Sequence, residues 1–204
     1  MKKFMICAVA FMIIFSLNAF AAPLGVGTAD LEAWNSKSFS TPYMEPLQTS
    51  YSREVFLGDA TTTYSTASSY ANRNVNMQLA AEFINGKIIM PYETFSYNET
   101  VGPRTAQRGF REATIFVGEE KEQGLGGGIC QVSSTTYMAA KKTNLVIVER
   151  HQHSLPVSYC SEDDEATVSW GYLDLKLRND NEYPIRINAS VSRGRVYVKF
   201  TGLI

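Results

Sequence analysis

The stretch "GLGGGICQVSST", residues 124–135, constrains this chain more than any other. Three glycines in succession, Gly126, Gly127 and Gly128, allow positive φ and a sharp turn, and they leave main-chain N–H groups uncovered by side chains. The continuation, "TTYMAAKKTN", supplies helix formers, with Lys141 and Lys142 near the C-terminal end where cations suit the dipole. The turn therefore delivers Cys130 to a helix N-terminus, where the pKa of a thiol falls. The uncovered N–H groups of Gly127 and Gly128, with the Gln131 side chain nearby, are suitable equipment for an oxyanion.

The rest of the chain supplies a frame for that turn. "NRNVNMQLAAEFING" reads as an Asn-capped helix with Val75, Leu79, Ala80 and Phe83 on one face and Gly86 as its stop. "KIIMPYETFSYNETVG" reads as two short extended segments broken at Pro91. A loop with Arg104, Arg108 and Arg111 comes next, and then a third extended piece, "ATIFVG". After the cysteine helix, "LVIVER" is a β-branched run, and "TVSWGY", "LDLKLRN" and "IRINASVSRGRVYVKF" are strand-like, the last folding back at Arg193-Gly194. Helix, small sheet, helix and then mostly strands make an α+β class: one domain with two helices and a small, mostly antiparallel sheet.

The N-terminus bears on redox chemistry. Met1-Lys2-Lys3 is basic, Phe4 to Leu17 is apolar, and Ala19-Phe20-Ala21 has the small-x-small pattern of a signal peptidase site. The apolar run is shorter than the roughly 20 residues that a spanning helix needs. Residues 1–21 are expected to be a signal peptide, with a secreted, extracytoplasmic mature chain that has no stable membrane insertion after cleavage. Residues 22–60, rich in Ser, Thr, Pro and Ala, are expected to be an arm or linker, and 61–204 the folded domain. A net charge of −1 with interspersed signs gives no argument for nucleic acid, and there is no phosphate loop.

Of the three cysteines, Cys7 lies in the signal, which leaves Cys130 and Cys160. By residue chemistry alone Cys130 is a nucleophile, half of a bridge to Cys160, or a buried inert thiol. A nucleophile needs a base, and the chain has only two histidines, His151 and His153. Alternation puts both on one face, but a zinc site needs a third ligand and "HxH" alone is weak, so no metal and no cofactor are expected.

"RNVNMQLAAEFINGKIIMPYETFSYNETVGPRT", "GGGICQVSSTTYMAA", "IVERHQHSLPVSY" and "ATVSWGYLDLKLRNDNEYPIRI" together resemble the VanW domain, first named from a vancomycin-resistance gene cluster, over about residues 60 to 202. The resemblance implies a cell-envelope role in L,D-transpeptidation: a cysteine takes the acyl group of a peptidoglycan stem tetrapeptide and passes it to a neighbouring amine, forming a 3-3 cross-link. It implies Cys130 as nucleophile and His153 as base. Asp174 is implied as the carboxylate that orients the imidazole, with Glu165, where the family has Asp, as the other candidate. Arg104, Ser133 and Ser134 are implied as substrate-binding residues, and stem peptides as the partner. Hydrolysis of stem peptides and a non-catalytic wall-binding role are the alternatives, and the oligomeric state stays open.

Overall fold

Apolar and polar residues alternate from Ile185 onward, and that alternation builds the sheet on which the helices rest. The structure, a computed structural model, describes residues 51–118 and 120–204; the expected signal peptide and residues 22–50 of the expected arm lie outside the described residues. The elements in chain order are β1 (Glu54–Thr63), α1 (Ala71–Ile84), β2 (Ile88–Ile89), β3 (Thr94–Ser96), α2 (Tyr97–Val101), β4 (Glu112–Val117) and β5 (Glu120–Leu125). They continue with α3 (Ile129–Ala140), β6 (Val146–Glu149), β7 (Lys176–Arg178), β8 (Ile185–Ser192) and β9 (Arg195–Leu203). The class is α+β, as expected. The strands form an antiparallel sheet in the order β1-β9-β8-β2, a second in the order β3-β7-β6, and the β4-β5 hairpin.

On β8 the buried residues are Ile185, Ile187, Ala189 and Val191; on β9 they include Val196, Val198 and Phe200. α1 covers β8, and α3 covers β1 and β9. Met77, Ala80, Ala81 and Ile84 from α1 and Val132, Ala139 and Ala140 from α3 complete one core with these strands. Each fully buried Ile, Val or Phe contributes about 1.5–3 kcal/mol relative to exposure.

The structure corrects several expectations. Residues 54–60, expected in the arm, are part of β1, where Ala60 and Thr62 face the core. β1 leaves Phe56 exposed and is held by its pairing with β9, a contact that local composition does not announce. α1 is capped at Tyr70 without a side-chain bond, so it is not Asn-capped. Its buried face is turned toward Asn76, Met77 and Ile84, leaving Phe83 at the rim. There Phe83 meets Phe110, with ring centroids 6.4 Å apart. Burial of Asn76 is what turns the face. Its amide donates to the carbonyls of Arg111 and Gly127 at 2.9 Å each and accepts from the Arg111 N–H at 2.8 Å, which makes the polar group tolerable inside. "YNETV", expected to be extended, is a short helix, α2, additional to the two expected, because the Ser96 hydroxyl caps it by accepting from Glu99 N–H at 3.0 Å.

Candidate active site

The glycine turn is required by packing as well as by φ. Gly128 has φ +106°, and a Cβ there would lie 2.6 Å from Arg73 Cγ; at Gly127 a Cβ would lie 2.5 Å from the Thr114 carbonyl oxygen. Gly128 caps α3, so Cys130 is the second residue of the helix. Its N–H is one of the orphan donors of the first turn and, with those of Gly127 and Gly128, has no hydrogen-bond acceptor among the described residues. Gly127 is buried against Thr114, so the half-buried Gly128 and Cys130 carry the donors nearest to solvent. Gln131, expected to assist them, does not: it is buried, accepts from Arg73 at 2.8 Å, and donates to Thr62 Oγ1 at 3.0 Å and the Thr63 carbonyl at 2.8 Å, tying α3 to β1. A side chain that satisfies both sides of an interface is not free to turn toward a ligand.

The Cys130 sulfur lies 3.6 Å from Thr167 Oγ1 and 3.5 Å from the Val168 carbonyl oxygen, with His153 beside it. Burial opposes ionisation of the thiol, but the nearby His153 imidazole, the Val168 carbonyl and Thr167 outweigh it, so its pKa lies below the ordinary value. His153 moves the opposite way. Burial would lower its pKa, yet the thiol and Glu165 together raise it. The two shifts favour a thiolate–imidazolium pair.

Glu165, not Asp174, is the carboxylate on the imidazole. Its Oε2 lies 3.2 Å from His153 Nδ1, off the line of a full hydrogen bond, and accepts from the His153 main-chain N–H at 2.8 Å. With Nδ1 turned to Glu165, Nε2 is left for proton exchange; the Tyr159 hydroxyl is 3.3 Å from it. Phe116 and Tyr159 both meet the imidazole edge to face, at 6.3 Å between centroids, and restrict its rotation. Asp174 is committed elsewhere: its carboxylate accepts from Ser96 Oγ at 2.5 Å, Asn98 N at 2.9 Å and Leu175 N at 2.8 Å, fastening β7 to the start of α2.

Ser133 and Ser134 are fully buried and cannot bind substrate as expected. The Ser133 hydroxyl donates to the Ala166 carbonyl, and the Ser134 hydroxyl accepts from Ala166 N–H at 2.9 Å. Together they clamp the residue between Glu165 and Thr167, and so place the acid through α3 itself. Arg104 is half-buried, with its guanidinium 5.8 Å from the Trp170 ring centroid. His151 pairs with Glu149 at 3.0 Å, away from the thiol. Cys130 and Cys160 are both free thiols, and burial with Glu165 and Asp164 nearby pushes Cys160 up to about 11. Arg73, Tyr159 and Thr167 were missed by sequence reasoning; no spacing links them to residue 130, and only the packing of α1 and the 159–168 loop on α3 does.

The family described as "VanW like protein" matches residues 72–201. The chain belongs to this family. The matched span holds Arg73, Arg104, Cys130, His153 and Glu165. The chain is 41% identical over 131 residues to the uncharacterized protein YoaR of Bacillus subtilis, covering 64% of this chain and 43% of that protein. It is 31% identical over 121 residues to the vancomycin B-type resistance protein VanW of Enterococcus faecalis, covering 57% of this chain and 44% of that protein. The chain thus spans less than half the length of these relatives. No solved structure matches it.

Proposed function

We propose that this VanW-family protein is an exported cysteine acyltransferase of the cell envelope that acts on peptidoglycan stem peptides and forms 3-3 cross-links by L,D-transpeptidation. The observation that carries this reading is the relay of Cys130, His153 and Glu165 at the start of α3. The Cys130 thiolate attacks the scissile amide carbonyl, and the oxyanion collects on the unpaired N–H groups of Gly128 and Cys130. His153 gives its proton to the leaving amine as the C–N bond breaks, leaving a thioester. The acceptor amine then attacks the thioester, His153 takes the amine proton, and the thiolate departs. Glu165 holds the imidazole and stabilises its charged form, the orienting role in a nucleophile–base–acid triad. The export pattern of residues 1–21 and the name of the enterococcal relative support an envelope substrate.

Purified protein incubated with disaccharide-tetrapeptide should form a covalent adduct on Cys130, detected by intact mass, and release a 3-3 linked dimer. Cys130→Ala removes one sulfur from a partly exposed position and should form neither while still binding the substrate. Hydrolysed stem without dimer would move the assignment to a peptidase; binding without adduct or product would move it to a non-catalytic wall-binding role.

A further inference from the structure

Two arginines flank the glycine turn, and neither has the partner its setting calls for. The stem of Arg73 lies against Gly128, where a Cβ would come within 2.6 Å of its Cγ. The stem of Arg104 lies against Gly126, where a Cβ would come within 2.7 Å of its Cγ. The turn is therefore held between two arginine stems, one from α1 and one from the loop after α2, immediately before Cys130. Both side chains are half-buried. Among the described residues, neither guanidinium has a carboxylate within ion-pair distance.

The contacts they do make are neutral. Arg73 donates to Gln131 Oε1 at 2.8 Å and to the Met77 sulfur at 3.3 Å. Arg104 donates to the Gly102 carbonyl at 2.8 Å and to Asn98 Oδ1 at 2.7 Å. A guanidinium has five N–H donors in a planar fork, so each arginine keeps donors uncommitted. Removing such a cation from water without an anion opposite it is costly. Burial weakens the hold of both guanidinium groups on their protons, and both respond to charge on Cys130, which puts them within electrostatic range of the thiol; Arg104 also feels the Asp174 carboxylate, beyond ion-pair distance and on the far side of Asn98.

We propose that Arg73 and Arg104 form a two-arginine carboxylate site beside Cys130, which binds a free carboxylate of the acyl donor close to the scissile amide. Arg73 is thereby a specificity residue that contacts substrate. The neutral partners fix the direction of each fork, and the missing counter-ion is supplied by the donor. An amidated donor would leave both cations unpaired and bind less well. That the donor is a peptide rests on the transferase reading; the anion site itself does not.

Iodoacetate and iodoacetamide test this without turnover. Each forms a bond from the thiolate sulfur to its methylene carbon as iodide leaves, and they differ only in carrying a carboxylate or its neutral amide. The rate ratio of iodoacetate to iodoacetamide at Cys130 of the full protein should exceed that of a free cysteine by about tenfold or more, the size of one charge-assisted contact. The imidazolium contributes to that ratio in every variant, so the arginine share is the fall on substitution. Arg73→Gln and Arg104→Gln should each lower the ratio severalfold, a change in thiolate population cancelling because it slows both reagents equally, and Arg73→Lys should restore part of it. As a check on the unaltered protein, N-acetylglycine should slow iodoacetamide alkylation and N-acetylglycinamide should not. A ratio unchanged in both Gln variants would overturn the site. So would an equal loss of rate with both reagents, which would assign the arginines to thiol ionisation or to the turn. If the Gln variants do not fold, absence of protection by N-acetylglycine is the overturning result. Carboxylate preference in a protein that makes no acyl product would keep the site and remove the transferase reading.

Discussion

Glu165→Gln should narrow the pH window in which Cys130 is a thiolate paired with protonated His153. The carboxylate lies 3.2 Å from Nδ1, and the two side chains are only 2% and 4% exposed. At an effective dielectric of about 20 the gross attraction at that distance is about 5 kcal/mol. An opposite charge at such range shifts a pKa by about 1–3 units, or about 1.4–4 kcal/mol. The sign comes from the cause: Glu165 helps raise the pKa of His153 against burial, so its neutralisation lets the imidazolium deprotonate at lower pH. The thiol then loses the positive partner that draws it down, and its own pKa rises. The upper edge of the window falls and the lower edge moves up toward it. Iodoacetamide alkylation of Cys130 against pH tracks the lower edge, and NMR titration of the imidazole tracks the upper; with only two histidines in the chain, His151→Gln completes the assignment. Gln keeps an acceptor for the His153 main-chain N–H, so the fold should survive. A His153 midpoint unchanged from wild type, with superimposable alkylation profiles, would refute the relay.

Asp174→Asn should destabilise the fold by about 2–4 kcal/mol in urea unfolding, because a buried carboxylate serving three donors is lost, while iodoacetamide alkylation of the folded variant stays within about twofold of wild type. Glu149 is held down to about 2, chiefly by Lys176 and then His151, so its contribution to stability is present above its unfolded value near 4.5 and is lost as pH falls from there toward about 2. Thermal melting across that range should show a shallower acid limb for Glu149→Gln than for wild type.

Much of the architecture could be read locally. The helix over residues 71–84, the cysteine helix and the hairpin at Arg193-Gly194 come from signals confined to a few neighbouring residues: period, a stop glycine, β-branched alternation and a tight turn. The position of Cys130 at a helix N-terminus after a forced turn is local in the same sense, since three glycines and the helix formers after them are adjacent in sequence. Only the end of β1 was legible, in the strand-like composition of residues 61–68, and α2 was not, because β1 is held by pairing with β9 and α2 by the Ser96 cap and the Asp174 bonds across 78 residues. The same divide runs through the site. Sequence alone determined the place of Cys130 after the glycine turn and limited the histidines that could face it to two. Only the tertiary structure decided between Glu165 and Asp174, moved Gln131, Ser133 and Ser134 from ligand binding to holding the frame, and brought Arg73 to the turn. The physical reason is that a backbone turn is set by its own residues, whereas the partner of a buried polar group is set by whichever packed segment can satisfy it.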